Sequence, residues 1–424
     1  MGEVAAPYRR LEVKSSSWQR ILFVMFVAQL LASIGFSTIF PFLPNYVEFL
    51  GVRSGGSLVF WVAAVFSVQA AAMMIASPIW GAIADRHGRK LMLERAFFAG
   101  AAVILLMGFV RSAEELTFLR LIQGLTTGVV SAANSMVAAT APRQRLGYAM
   151  GMMQTASWAG ASVGPMIGGA LQYFFGFRFS FVVTAALMLA GGLLVLFGVK
   201  EDFTAPPRAE RGVGGLIHAW RDVVRTAGVP LAYFLRFSAW LGRTMLVPFL
   251  PLFIATITVD KDLAGMYTGL AIGLAAASST LSGVLLGRLS DRVGYKPILV
   301  ASALGCAVFY VPMAYVTDVV QLIVVNVLIG FAIGGVLPAI SAMLARLTPR
   351  NVAGAVYGLD NSVAAASRAL APIIAGAIVT VTSLPGSTNY RTIFLVTAGL
   401  FLITALVAAW RLPRSEREAL ATDV

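Results

Sequence analysis

The sequence contains one cysteine, Cys306, and two histidines, His87 and His218. It therefore offers neither a disulfide framework nor a thiol or imidazole cluster for a metal, and no metal or other cofactor is expected. Charge is scarce at 12% of residues, and acidic side chains are scarcer than basic ones, 19 against 32. That deficit excludes an ordinary soluble domain. There is no Gly-x4-Gly-Lys-Ser/Thr loop to cradle a nucleotide phosphate, and no grouping of nucleophile, base and metal ligand, so neither ATP coupling nor an enzyme is expected. A cleavable leader is not expected either. Residues 1–17 are polar with Arg9, Arg10 and Lys14, and the apolar run from Trp18 to Val47 is too long for a signal core.

What fills the chain instead is apolar sequence: 58% of its 424 residues are hydrophobic and the mean hydropathy is +0.83. Runs of about 20 residues or more, each long enough for a membrane, recur throughout. The expected spans are 18–47, 57–84, 91–110, 115–140, 146–175, 179–199, 229–257, 263–289, 296–316, 319–347, 353–382 and 391–410. Segments this long satisfy their own backbone hydrogen bonds as helices, so the fold class is an all-α polytopic membrane protein.

The formal net charge of +13 does not point to nucleic acid, because the basic residues sort by side. Arg53, Arg111, Arg178, Lys261 and Arg391 fall on the side away from the N terminus; Arg120, Arg236, Arg243 and Arg368 fall inside spans; the rest lie with the termini. This asymmetry places both termini in the cytoplasm, in a multi-pass inner-membrane protein. Tails at 1–17 and 411–424 flank two halves, 18–199 and 229–410, joined by a linker at 200–228 containing Pro206-Pro207. Within the linker Leu216, Ile217, Trp220, Val223 and Val224 share a helical face opposite His218, Arg221, Asp222 and Arg225, the pattern of a short helix lying on the membrane surface.

The halves repeat at an offset of about 206 residues. Pro41-Phe-Leu-Pro44 returns as Pro248-Phe-Leu-Pro251; Gly124 and Gly128 return as Gly330 and Gly334; Pro165 returns as Pro372. The segment Gly81-Ala-Ile-Ala-Asp85-Arg86-His87-Gly88-Arg89-Lys90 returns, worn, as Gly287-Arg-Leu-Ser-Asp291-Arg292-Val-Gly294-Tyr-Lys296. Six spans repeated in parallel predict two six-helix bundles with a site between them near the midplane.

These motifs resemble the major facilitator superfamily over essentially the whole chain. Gly81-x3-Asp85-Arg86-x-Gly88-Arg89-Lys90 matches its signature loop between spans 2 and 3. Arg120-x2-Gln123-Gly124-x3-Gly128 in span 4 is similar to its second motif. Gly160-x3-Gly164-Pro165-x2-Gly168-Gly169 in span 5 is similar to the motif of its proton-coupled exporters. Together they resemble the twelve-span drug–proton antiporter branch. The resemblance implies a cytoplasmic latch in the outward-facing state, built from Gly81, Asp85, Arg86, Gly88, Arg89 and Lys90 with Asp291 and Arg292 as the second copy. Asp85 would meet the positive N-terminal end of span 11. It also implies that span 5, through Gly160, Gly164, Pro165, Gly168 and Gly169, and span 8, through Gly265, Gly269 and Gly273, seal the two halves together. Four-residue glycine spacing permits such close approach.

Charges within spans are functional candidates, because burying one unpaired costs about 2.5 to 3.5 kcal/mol or more. Arg120, Gln123, Thr127, Ser131 and Asn134 fall on one face of span 4, and the resemblance gives Arg120 a part in proton coupling. Asp360 is the one carboxylate well inside a span, and Glu48 near the outer end of span 1 is the second candidate proton carrier. Arg243 and Arg368 are expected to face the cavity, while Arg236 lies nearer the cytoplasm and snorkels toward water; the alternative is that Asp360 and Glu48 neutralise the arginines, which then face no substrate. The expected cavity lining comprises Gln29, Ser33, Phe36, Gln123, Asn134, Gln154, Trp158, Trp240, Arg243, Asn361 and Arg368.

The implied function is proton-coupled export of amphipathic small molecules, of the multidrug type, by alternating access. A carrier or flippase for an anionic metabolite or lipid headgroup stands as the alternative, favoured by the arginines. The expected partners are the small-molecule substrate, protons and the lipid bilayer, with no nucleic acid and a monomeric protein.

Overall fold

A computed structural model describes residues 15–52, 55–126, 128–201, 226, 228–347, 353–384 and 388–412. The expected surface helix of the linker, at 216–225, lies outside the described residues. We number the helices α1 (Ser15–Thr38), α2 (Leu43–Leu50), α3 (Leu58–His87), α4 (Arg89–Met107), α5 (Ala113–Thr126), α6 (Val129–Thr140) and α7 (Leu146–Gly198) in the first half. The second half holds α8 (Val229–Met245), α9 (Leu250–Ile257), α10 (Ala264–Val293), α11 (Tyr295–Met313), α12 (Val319–Leu347), α13 (Ala353–Thr382) and α14 (Arg391–Arg411).

Ten segments among the described residues are long and apolar enough to cross a membrane. The 53-residue α7 accounts for two crossings, because Gly176 (φ 79°, ψ 174°) leaves helical geometry and turns the chain back. The twelfth is α4, whose first two turns carry Arg89, Lys90, Glu94 and Arg95.

Three expected spans are not continuous helices. Spans 1 and 7 break between α1 and α2 and between α8 and α9, where Pro44 and Pro251 open the second helix and Pro41 and Pro248 precede it. Proline lacks the N–H that would continue the ladder. Span 4 breaks between α5 and α6, at Gly128 (φ 146°). Its counterpart Gly334 lies inside the unbroken α12. The face expected to run from Arg120 to Asn134 is therefore divided, since the helical register does not carry across the break; Thr127 itself lies outside the described residues.

In the first bundle α1 packs along α7, α3 along α5, and α4 along α7; in the second α10 packs along α12, α11 along α14 and α12, and α13 along α8. Matched aromatic clusters lock the repeat. Tyr46 lies 5.1 Å from Phe181 and donates to Met107 O at 3.0 Å, and Phe42 meets Phe181 edge-on at 5.4 Å. In the second bundle Phe253 meets Phe394 at 5.0 Å and Phe249 stacks on Tyr390 at 6.3 Å. Such pairs contribute about 0.5 to 1.5 kcal/mol each beyond their area.

The bundles meet chiefly through α7 on α10 and α13 on α3. We call the side on which α1 begins the terminal face and the opposite side the distal face. Among the described residues, every close inter-bundle glycine contact lies in the distal half. A Cβ on Gly269 would strike Pro165 O, one on Gly169 would strike Gly265 O, and one on Gly376 would touch Ala63 and Val59. Toward the terminal face, a Cβ on Gly81, Gly147, Gly151 or Gly287 would meet no atom within 4 Å. Ile75, Tyr148 and Leu281 are exposed there. The molecule is thus sealed distally and open on the terminal face.

Candidate functional site: a charged seam in the second bundle

The helices α8 and α13 both begin at the terminal face and lie side by side. Tyr233 Oη donates to Val356 O at 3.1 Å, and Ser367 Oγ donates to Phe237 O at 3.2 Å. Arg236, Trp240 and Arg243, at i, i+4 and i+7, share one face of α8. Asp360 and Arg368 stand eight residues apart on α13, so the seam has two levels along that helix, roughly 12 Å apart at 1.5 Å per residue; the Ser367–Phe237 bond sets the second level beside the α8 turn that starts at Arg236.

At the first level Arg236 Nη2 contacts Asp360 Oδ2 at 2.5 Å. Its Nη1 donates to Leu337 O at 3.1 Å and to Ser341 Oγ at 3.2 Å, tying α12 to the pair. Arg236 therefore does not snorkel. With a carboxylate and a carbonyl in reach, the guanidinium gains more from pairing inside the bundle than from stretching toward water. Asp360 is 7% exposed and is the only buried carboxylate among the described residues. Its Oδ1 and the Nε of Arg236 are buried without a protein partner among those residues.

At the second level the guanidinium carbons of Arg243 and Arg368 each lie 5.5 Å from the centre of the Trp240 ring. Both arginines are half-buried, and neither has a carboxylate within ion-pair distance among the described residues. Cation–π contact offsets part of their burial, about 2 kcal/mol where water is excluded.

The first bundle handles charge differently. Arg120 is 4% exposed, donates from Nη1 to Gln123 Oε1 at 2.6 Å and from Nε to Val65 O at 3.2 Å, and lies 5.7 Å from the Phe66 ring. Its partners are all neutral. Gln29 donates to Ser157 Oγ at 3.1 Å and to Ser33 Oγ at 3.3 Å.

Several expected positions move. Gln29 and Gln123 are fully buried and so do not line an open cavity; their amides are engaged inside the first bundle. Ser33 and Phe36 of α1 and Asn134 are half-buried, whereas Gln154, Trp158 and Asn361 are exposed. Asn361 shares a face of α13 with Arg368, seven residues on. Glu48 is exposed on α2 at the distal end, far along the chain axis from the Asp360 level.

The glycine stripe also has a different partner. Gly160, Gly164 and Gly168 pack against α1, where added Cβ atoms would strike Ser33, Ser37 and Thr38. Ser37 Oγ donates to Gly160 O at 2.9 Å across this contact. Of the motif residues, Pro165 and Gly169, about 100° around α7 from their neighbours, reach α10, alongside Ser162, Met166 and Gln172. The stripe seals the first bundle internally, and the inter-bundle seal is the narrower contact beside it.

In the signature loop the side chains of Asp85 and Arg86 lie outside the described residues. Gly88 (φ 96°) and Gly294 (φ 91°) make the same turn in both copies, a conformation that favours glycine. The Glu201 carboxylate accepts from the backbone N–H of Arg89 at 3.0 Å and of Lys90 at 2.7 Å, capping α4. Lys90 Nζ donates to Leu196 O at 2.9 Å near the end of α7, and Lys296 Nζ donates to Leu412 O at the end of α14. Asp291 and Arg292 are exposed. Sequence reading held neutralisation of the arginines by Asp360 as an alternative but did not single out Arg236 as the partner. It also missed Glu201, which no periodicity marks.

The arrangement contains a buried acid–base pair, an adjacent cationic level and an opening to one side, with catalytic groupings absent among the described residues. The model of the Major Facilitator Superfamily matches the chain twice, over residues 25–235 and 232–423, one match to each half. The multidrug resistance protein MdtG of Serratia proteamaculans is 34% identical over 405 residues, 95% of this chain and 96% of that protein. The nucleoside transporter NupG superposes with a TM-score of 0.74 at 16% identity, covering 92% of this chain and 98% of its own. A bacterial homologue of the human lysosomal transporter Spinster, in an inward-facing and unoccupied conformation, gives 0.75 at 15% identity, covering 92% and 96%. The doubled family match, the near full-length relative and the shared helical fold establish that this chain belongs to the Major Facilitator Superfamily, as a multi-pass inner-membrane transporter and not an enzyme.

Proposed function

We propose that this transporter exports amphipathic small molecules in exchange for protons, as a monomer, with its two bundles, 18–199 and 229–410, rocking about the midplane. The near full-length similarity to proteins named for multidrug resistance supports the export of drug-like substrates. The observation that carries proton coupling is the Arg236–Asp360 pair, the one buried carboxylate among the described residues, held where α8, α12 and α13 converge. While Asp360 is ionised the pair is neutral and binds the three helices together. A proton on Asp360 removes the negative partner, leaves Arg236 uncompensated and loosens that junction. Binding and release of the proton on opposite sides then couple to opening and closing.

The excess of basic residues on the terminal face supports a cytoplasmic location for both termini, which makes the described conformation inward-open. In the opposite conformation the signature loop would close against the start of α13, with Asp85 facing that helix N-terminus. The test is dye transport in inverted vesicles. Imposing a proton gradient is expected to drive uptake of amphipathic dyes by the wild type, and Asp360→Asn is expected to abolish it. Gradient-driven uptake unchanged in Asp360→Asn would refute the assignment, and no response to any proton gradient would refute proton coupling.

A further inference from the structure

Arg243 and Arg368 are the two guanidinium groups of the seam for which the proton-exchange scheme has no use. Both are half-buried around Trp240, each 5.5 Å from the ring centre, so their carbons lie no farther apart than twice that distance. Arg236, one level nearer the terminal face, is satisfied by Asp360, Leu337 O and Ser341. Arg243 and Arg368 have no hydrogen bond or ion pair to any described residue. Trp240 Nε1 is likewise buried with no acceptor. Behind Arg243 stand Cys306 and Tyr310 of α11, both buried, and Tyr310 is stacked on Phe401 at 5.8 Å.

The bay therefore gathers two fork-shaped cationic donors and an indole N–H, and it supplies no anionic acceptor from the described residues. Donors in a low-dielectric bay without a counter-charge select one chemistry. An oxyanion accepts from guanidinium forks and neutralises charge that the protein leaves open. The seam bonds of Ser367 to Phe237 O and of Arg236 to Asp360 tie α8 to α13 next to these donors, so the helices that carry them are joined before a ligand arrives.

We infer that Arg243, Arg368 and the Trp240 indole form a recognition site for the oxyanion head, carboxylate, phosphate, phosphonate or sulfonate, of a carried solute or of a membrane lipid. This deepens the exporter reading and rests on it: the bay gives the carrier a preference for anionic over cationic amphiphiles.

The probes are naphthalene-2-sulfonate and its cationic counterpart, 2-naphthyltrimethylammonium, titrated calorimetrically into the full chain in phosphatidylcholine nanodiscs. The sulfonate is expected to bind and the ammonium not to. Arg243→Gln and Arg368→Gln should each weaken sulfonate binding at least tenfold, and Trp240→Phe several-fold. Because each Arg→Gln change removes an uncompensated charge, both variants should unfold at the same or a higher temperature than the wild type without ligand, and both should lose the stabilisation that sulfonate gives. Should a glutamine variant not fold, Arg243→Lys, which keeps the charge and loses the fork, is expected to bind the sulfonate more weakly than wild type. Equal binding of the two probes, or sulfonate binding unchanged in both arginine variants, would overturn the inference.

Repeating the titration with phosphatidylglycerol in the disc separates the sources. Competition by the lipid that disappears in Arg243→Gln assigns the bay to a headgroup, and undiminished sulfonate affinity assigns it to a free solute. Proton-driven dye uptake without sulfonate binding would refute the anion site alone. Sulfonate binding without proton-driven transport would refute the exporter reading alone.

Discussion

The two bundles share a scaffold and differ in what they bury. Both break their first span at a Pro-x-x-Pro segment, both fix the distal end with an aromatic cluster, and both use a lysine at the start of the third span to reach the end of the sixth. Their interiors have parted. The first bundle surrounds its buried arginine with neutral acceptors, whereas the second pairs one arginine with Asp360 and leaves two against Trp240. Duplication kept the elements that set helix position, and the charge chemistry diverged inside them.

The difference can be broken most forcefully at the two buried arginines. Arg236→Ala strands the Asp360 carboxylate and should destabilise the protein by about 3 to 5 kcal/mol, while joint replacement by Arg236→Met and Asp360→Leu should recover most of that. Arg120→Met strands no opposite charge and should cost about 1.5 to 3 kcal/mol, the scale of a hydrogen-bonded charged group. Denaturant unfolding in neutral detergent, followed by circular dichroism, measures both. Equal losses at the two sites would erase the distinction.

A steric contrast comes next. Gly168→Val drives a side chain into Thr38 of α1 and should cost about 1 to 3 kcal/mol or prevent folding, whereas Gly147→Val meets open space and should keep folded yield near wild type by size-exclusion chromatography. The smallest effect concerns the carboxylate that caps α4. Glu201→Gln weakens a charged cap on α4 and should lower stability by about 0.5 to 2 kcal/mol, with the loss shrinking as salt is added in thermal melts.

Much of the scaffold was legible in the sequence because it rests on local rules. Span length and the proline pairs each act through a single segment. The glycine stripe of α7 was legible as a close approach but not as an approach to α1, since four-residue spacing defines a face and not the helix that fills it. Gln29 and Gln123 read as cavity polarity because sequence distinguishes a polar side chain from an apolar one, but not an amide bonded inside a bundle from one that faces a cavity. Arg236 and Asp360, 124 residues apart, became partners only when α8 and α13 were set side by side. The break at Gly128 was hidden for a related reason: its copy Gly334 continues a helix, so glycine alone does not reveal which conformation the surrounding packing demands.

The central claim is that Asp360 exchanges the proton that powers transport. The most direct measurement compares two fluxes of one dye in proteoliposomes containing Asp360→Asn: accumulation driven by a proton gradient, and equilibrium exchange of labelled for unlabelled dye with no gradient. Loss of accumulation with exchange preserved is the predicted result. Accumulation equal to wild type would contradict the claim.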